Sequence, residues 1–193
     1  AAIKEGYRQL LPLYDEQLAI TGLRIQQLRA EAVVEFNTVL PQVYRKVSKS
    51  ESDIHITYRP SWHDCTEVAQ VKEMLARTVE RDMKMLTTTS GIHRDQFIVM
   101  DSQGPFAASG STGQLRLASL IFRIVQAGLY RQKTGKLPIL LVDDVLLELD
   151  IAKRESFLEQ LGQYSQAFFT FLPDERYHAD LQSNGDCRYR VDE

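Results

Sequence analysis

Residues 137–150 read Leu-Pro-Ile-Leu-Leu-Val-Asp-Asp-Val-Leu-Leu-Glu-Leu-Asp. From Pro138 to Val142 the side chains are aliphatic and mostly branched, the pattern of a strand buried on both faces. Such strands belong to parallel sheets flanked by helices. Two carboxylates follow at once, Asp143 and Asp144. Burying unpaired charge is costly, so the pair should stand at the carboxyl edge of the strand. In open α/β sheets ligands bind at that edge. This one segment therefore calls for an α/β layer and marks where chemistry should be sought. The plainer alternative is an Asp-rich turn that caps the next helix.

The flanking residues extend the α/β pattern. Gln96–Met100 reads as a short strand, Leu115–Gln132 as a long apolar helix closed by Thr134-Gly135, 151–161 as a helix and 166–171 as a strand. Cys187–Val191, after the turn Asn184-Gly185-Asp186, reads as a last strand. The first part of the chain is different. Residues 7–46 carry a helical stripe, including Leu18, Ile25, Phe36 and Val43, which Pro12 and Gly22 interrupt, predicting a kink near each. A helix of ~30 residues is ~45 Å long, which favours a projecting arm over a helix of the core. Asp53–Tyr58 alternates as a strand, and residues 66–86 form another helix, with Thr66 or Asp64 as its cap. The predicted division is a helical arm over 1–86, with one short strand, and an α/β lobe over 87–193.

Composition narrows the function classes. The chain has 193 residues, 44% hydrophobic and 25% charged, with a net charge of −3. That excludes a strongly cationic nucleic-acid binder and leaves room for a local basic patch. No apolar run approaches the ~18 residues of a membrane span. Cys65 and Cys187 do not make a disulfide framework, so reduced thiols in a cytoplasmic protein are expected. His55, His63 and Cys65 lack the spacing of a zinc site. Basic residues gather at Arg45-Lys46 with Lys49, and at His93-Arg94. The first group reads more simply as a solvated helix end. Trp62 and Tyr58 beside Arg59 have the chemistry to stack on bases, but packing is the simpler role.

A second motif precedes the long helix: Ala-Ser-Gly-Ser-Thr-Gly-Gln over residues 108–114. Small residues let backbone N–H groups approach an anion, and a helix N-terminus adds free donors. Ser111 can cap the helix and donate to a phosphate, and Gln114 can reach a ligand or Mg²⁺. A flexible loop before a capped helix is the bland reading. The acidic strand has the form of a Walker B strand, with Asp143 near Mg²⁺ and Asp144 able to orient or activate water.

About 30 residues and one helix separate loop from acidic strand, and the order resembles an ABC-type ATPase head. Ser111, Thr112, Gly113 and Gln114 resemble its signature motif. Glu148-Leu149-Asp150 falls at the D-loop, and Thr170 near the switch position. Glu80-Arg81-Asp82, then Thr87 through Ser90 and Gly91-Ile92-His93-Arg94-Asp95, resembles the RecF family of bacterial DNA repair. Residues 80–172 follow that pattern closely, and 1–79 more loosely. Ile92, Gln96, Thr112 and Leu147 depart from it. No segment matches G-x-x-x-x-G-K-[ST], so the phosphate cradle is missing and the chain reads as a C-terminal half.

The resemblance implies an ATP- and Mg²⁺-dependent homodimeric clamp on gapped or junction DNA. It also implies work with RecO and RecR to load RecA, with a link to replication restart and the SOS response. The chain alone should not hydrolyse ATP. His93 and Arg94 would face DNA, or Arg94 would buttress the signature loop through Asp95. Leu147 and the missing cradle also admit a non-catalytic docking module for DNA or protein, and another head of the SMC or Rad50 type remains open.

Overall fold

The computed structural model of the chain describes residues 10–143, 149–170 and 187. The first element is one long helix, α1 (Leu11–Ser48), of 38 residues, or ~57 Å. Pro12 lies in its first turn, where the missing N–H costs nothing. Lys49 ends it in the left-handed conformation, with its N–H on the Arg45 carbonyl. No break occurs at Gly22. That residue is buried against Trp62, and it is needed for close approach.

Strand β1 (His55–Arg59) is followed by helix α2 (Val68–Met85). The N-cap of α2 is Glu67, in place of Thr66 or Asp64. Gln70 Oε1 accepts from the backbone N–H groups of both Glu67 and Thr66, which fixes the start one residue past Thr66 and three past Asp64. A 3₁₀ turn (Ile92–Arg94) leads into β2 (Gln96–Asp101). β2 pairs antiparallel with β1, from His55 opposite Met100 to Arg59 opposite Gln96. The next stretch is more ordered than a Gly/Ser loop. It holds a short strand β3 (Gly104–Pro105), antiparallel to β2, and a one-turn helix α3 (Phe106–Ser109).

Helix α4 (Thr112–Thr134) then leads to β4 (Ile139–Val142). Helix α5 (Ile151–Gln160) crosses to β5 (Gln166–Phe169), which pairs parallel with β4, Ile139 opposite Gln166 through Val142 opposite Phe169. This is a β-α-β unit, the layer the acidic strand called for. The turn at 184–186 and the strand expected at 187–191 lie outside the described residues, Cys187 apart.

Two apolar clusters share α1 as their spine. Its first half packs Ala19 against Trp62, Cys65, Val71 and Leu75. Its second half sends Leu40, Val43, Tyr44 and Val47 among Ile54, Phe106, Leu117, Ile121, Val125 and Phe157. The second half of α1 is thus part of the main core. Sheet and main core both run across residue 87. The parallel pair has one covered face, where Val142 and Phe169 meet the core. Its other face leaves Ile139, Leu141 and Phe168 exposed.

Candidate nucleotide site at the carboxyl edge of the parallel strands

Asp143 follows the last residue of β4, as the cost of burying charge requires. Across the edge, the ladder continues one residue past β5 through the Thr170 N–H and the Val142 carbonyl, at 3.1 Å. That bond brings the two side chains together, and Thr170 Oγ1 donates to Asp143 Oδ1 at 2.6 Å. Thr170, at the switch position, thus touches Asp143 of the acidic strand. Asp144 and Glu148 lie outside the described residues, as does Leu147. Leu149 is buried, and Arg154 holds its carbonyl at 3.1 Å. Asp150 is the N-cap of α5. It accepts from the Lys153 N–H at 2.9 Å and pairs with Lys153 Nζ at 2.6 Å. The lysine first, then the backbone donors, hold its carboxyl below the usual range. The capping alternative weighed for the acidic run therefore applies to Asp150.

Ser111 is the N-cap of α4. Its hydroxyl accepts from the Gln114 N–H at 3.3 Å, and Gln114 Oε1 accepts from the Ser111 N–H at 2.8 Å. This reciprocal capping box spends the Gln114 amide oxygen on the helix. Ser111 through Gln114 are all exposed, and a Cβ at Gly113 would meet nothing within 4 Å. The turn before them is rigidly seated. Phe106 is buried and packs edge-on against Tyr44 at 5.9 Å. A Cβ at Gly110 would come within 2.9 Å of the Phe106 carbonyl oxygen, so a larger residue would displace the motif.

Asp101, which the sequence reading missed, ties this hairpin together. It accepts from Gln103 N at 2.7 Å, Gly104 N at 3.0 Å and Ser109 Oγ at 2.6 Å. Ser109 foremost, then those backbone bonds, hold its carboxyl below the usual range. Asp-Ser-Gln-Gly is a turn signature, and that was the available signal. A cleft of about 630 Å³ lies beside α3, lined by Phe36, Phe97, Phe106, Leu115, Phe122 and Arg123 among others. Neither Asp143 nor residues 111–114 line it.

The Gly91-to-Asp95 segment contains a buried charged latch that the sequence did not disclose. Asp95, its side chain 1% exposed, accepts from Arg29 Nη1 at 2.6 Å, Tyr58 OH at 2.5 Å and Ser61 N at 2.8 Å. Arg29 Nη1 also reaches the Ile92 carbonyl at 2.6 Å. Burial first, then the Asp95 carboxylate, push the Tyr58 phenol up to about 12. Asp95 is thus committed to α1 and β1 and gives Arg94 no route to the signature loop. Arg94 instead donates to the Thr88 carbonyl at 2.8 Å and to Thr87 Oγ1 at 3.3 Å. His93 meets Thr88 Oγ1 at 3.1 Å. Trp62 is fully buried with Nε1 on Ser90 Oγ, and Tyr58 stacks on Phe97 at 5.0 Å, so packing accounts for both aromatics. Arg45 pairs with Asp53 at 3.2 Å, while Lys46 and Lys49 are exposed at the end of α1.

Among the described residues no group of three or more His, Cys, Asp or Glu could hold a metal ion. Mg²⁺ in phosphoryl-transfer sites commonly takes only one or two carboxylates and finds its remaining ligands in phosphates and water. Asp143 at an open strand edge fits that demand. No described helix is long and apolar enough to cross a membrane.

No family model matches the chain. It is 43% identical over 175 residues to the DNA replication and repair protein RecF of Treponema pallidum (strain Nichols), covering 91% of this chain and 49% of that protein. It is 31% identical over 172 residues to the RecF of a Leptospira interrogans strain, covering 88% and 46%. The solved structure of the recombination mediator RecF with ATP, from the RecFOR pathway, superposes with a TM-score of 0.73 at 25% identity, covering 87% of this chain and 46% of that one. The chain spans about half the length of the curated relatives it matches. The acidic strand edge, the capped turn before α4 and the Gly91-to-Asp95 segment lie on the fold of an ABC-type ATPase head, and the chain belongs to the RecF family.

Proposed function

We propose that this chain is the trans-acting part of an ATP-dependent head in a longer DNA-repair protein. The observation that carries the reading is the hydrogen bond between Thr170 and Asp143 at the carboxyl edge of a parallel strand pair. It holds an acid in one orientation where nucleotides meet α/β sheets. ATP would lie between two copies of the head. Ser111 and the free N–H groups of the first turn of α4, with Thr112, Gly113 and Gln114, would meet the γ-phosphate held by the partner copy. Asp143 would hold Mg²⁺ through water, and that ion would neutralise charge on the phosphates. Thr170 keeps Asp143 aimed, and Asp144 would orient the attacking water. Glu148 and Asp150 would lie near the dimer seam, Asp150 keeping the start of α5 in register. Catalysis here is placement of charge rather than covalent chemistry.

The exposed apolar face of β4 and β5 supports a missing cover. Parallel strands are normally sheathed on both sides, and Ile139, Leu141 and Phe168 here are more than half exposed. In the longer protein the remaining half, with its phosphate loop, would sit there. The arm over 1–86 and the lobe over 87–193 would then divide the work between DNA and nucleotide. Arg45, Lys46 and Lys49 on the arm, with His93 and Arg94 near the start of the lobe, are the candidate DNA contacts. ATP-driven closure on gapped DNA, with RecO and RecR as partners and RecA loading as the outcome, completes the reading.

The test is ATP-dependent dimerisation of the full-length protein by light scattering. Ser111→Arg should abolish it while leaving ATP binding intact, and this chain alone should show no ATP turnover above a blank. Unchanged dimerisation in Ser111→Arg would refute the reading.

A further inference from the structure

At the end of α2, Leu86 caps the helix through its backbone N–H on the Asp82 carbonyl and leaves its side chain exposed. Leu86 closes the helix in the left-handed conformation, φ 52° and ψ 26°, a position that favours Gly or Asn. An L side chain is disfavoured there, because its Cβ crowds the following carbonyl oxygen. It recovers nothing by burial, because Leu86 is 80% exposed and Met85 beside it is 60% exposed. Around this apolar tip stand three permanent cations. Arg81 donates through Nε and Nη2 to Thr89 Oγ1, at 3.0 and 2.6 Å. Arg94 is fixed on Thr87 and Thr88 by the bonds given above. Lys84 occupies the last turn.

Among the described residues none of the three is paired with a carboxylate. The acid of the same turn, Asp82, is buried and occupied by Thr78 and by the N–H and hydroxyl of Thr89. Glu80 is an exposed acid of α2 nearby. Consecutive threonines thus hold two guanidinium groups beside an outward-pointing leucine. Three cations against the two acids Glu80 and Asp82 leave the tip a net charge of +1, in a chain of net charge −3. Its complement is a polyanion with flat apolar ends, which describes nucleic acid better than an acidic protein surface.

We propose that the α2 tip is a nucleic-acid contact in which Arg81, Lys84 and Arg94 take backbone phosphates and Leu86 leans on the exposed base at a duplex end. The inference rests on the reading of the longer protein as a DNA-binding head, and it adds the residues and the structure-selective wedge. Apolar side chains act this way where proteins open or cap base steps.

The experiment uses the full-length protein with ATP, and fluorescence anisotropy on a labelled duplex with a single-stranded tail and on a blunt duplex. Leu86→Gly suits the left-handed position, so its melting temperature should hold or rise. Its affinity for the tailed duplex should fall roughly tenfold, with a smaller loss on the blunt one. Lys84→Gln should weaken both alike and lower the slope of log K against log salt by about 1. If wild type binds DNA and both variants match it, the proposal is overturned while the clamp reading stands. A wild type that binds no DNA sinks both. A Leu86→Gly protein that loses thermal stability, or that loses RecR but not DNA, also overturns the proposal, because the tip would then be an internal or protein contact.

Discussion

Gly22 and Gly128 are both glycines in the interior of long helices, and replacing each by alanine should have opposite effects. Alanine gains ~1 kcal/mol of helix propensity over glycine at either site. At Gly128 a Cβ meets nothing within 4 Å, so Gly128→Ala should be stabilised by about that amount. At Gly22 the new Cβ would lie 2.8 Å from Trp62 Cη2, closer still to Cζ3, and 3.4 Å from Ile92 Cγ2. Ordinary carbon contacts lie at ~3.5–4.0 Å, so the indole must retreat by about 1 Å. It has nowhere to go: Trp62 is fully buried, its Nε1 is bonded to Ser90 Oγ at 2.8 Å, and its carbonyl accepts from Cys65 N at 3.0 Å. Overpacking of this kind costs about 1–3 kcal/mol, and a rigid neighbour argues for the upper end. Net of propensity, Gly22→Ala should lose about 2 kcal/mol. Urea unfolding of the chain followed by the fluorescence of Trp62, its single tryptophan, measures both. The midpoint of Gly22→Ala should drop with an unchanged m-value, and that of Gly128→Ala should rise. A Gly22→Ala midpoint at or above wild type would show that the indole yields freely, and the close-packing account of α1 on the 61–65 turn would fail.

Other expectations follow from the latch and the strand edge. Asp95→Ala removes the carboxylate from Arg29, which keeps only the Ile92 carbonyl, and from Tyr58. Because Arg29 is 32% exposed, the loss should sit near the lower end of the ~3–5 kcal/mol seen for broken buried pairs, read by urea unfolding against Arg29→Ala. The Tyr58 phenol is raised to about 12, so its contribution to stability is fully present below pH ~10 and is lost as pH rises from there through 12. Tyr58→Phe should flatten that alkaline loss in melting curves, and an unchanged loss would remove Tyr58 as its source. Asp150 is held low, so its contribution is present above pH ~4 and fades as pH falls through its folded value. Asp150→Asn should flatten the acid limb of the same curves. In the full-length protein, Thr170→Val should cut ATP turnover roughly tenfold or more with little change in nucleotide affinity, because it frees Asp143 without removing the carboxylate. Equal loss in binding and turnover would contradict that role.

The local pattern of the chain was sufficient for the helices, the parallel strand pair and the place of Asp143, because side-chain period and the cost of buried charge act within a few residues. Ser111 as a cap and the order of loop, helix and acidic strand were legible for the same reason. What only the tertiary structure decided involves partners far apart in sequence. Gly22 looked like a helix breaker until Trp62, forty residues on, occupied the space its missing Cβ leaves. Nothing in the helical pattern over 7–46 disclosed that Arg29 meets Asp95 and the Ile92 carbonyl at 2.6 Å. Leu86 ends α2 in the left-handed conformation and is left exposed, which the helical pattern over 66–86 did not disclose. α1 reads as an arm by length alone, and only the arrival of α4 and α5 along its second half makes that half core. Propensity and patterning are properties of a segment, whereas close approach, charge pairing and exposure are properties of the pair, and the pairs are made by the fold.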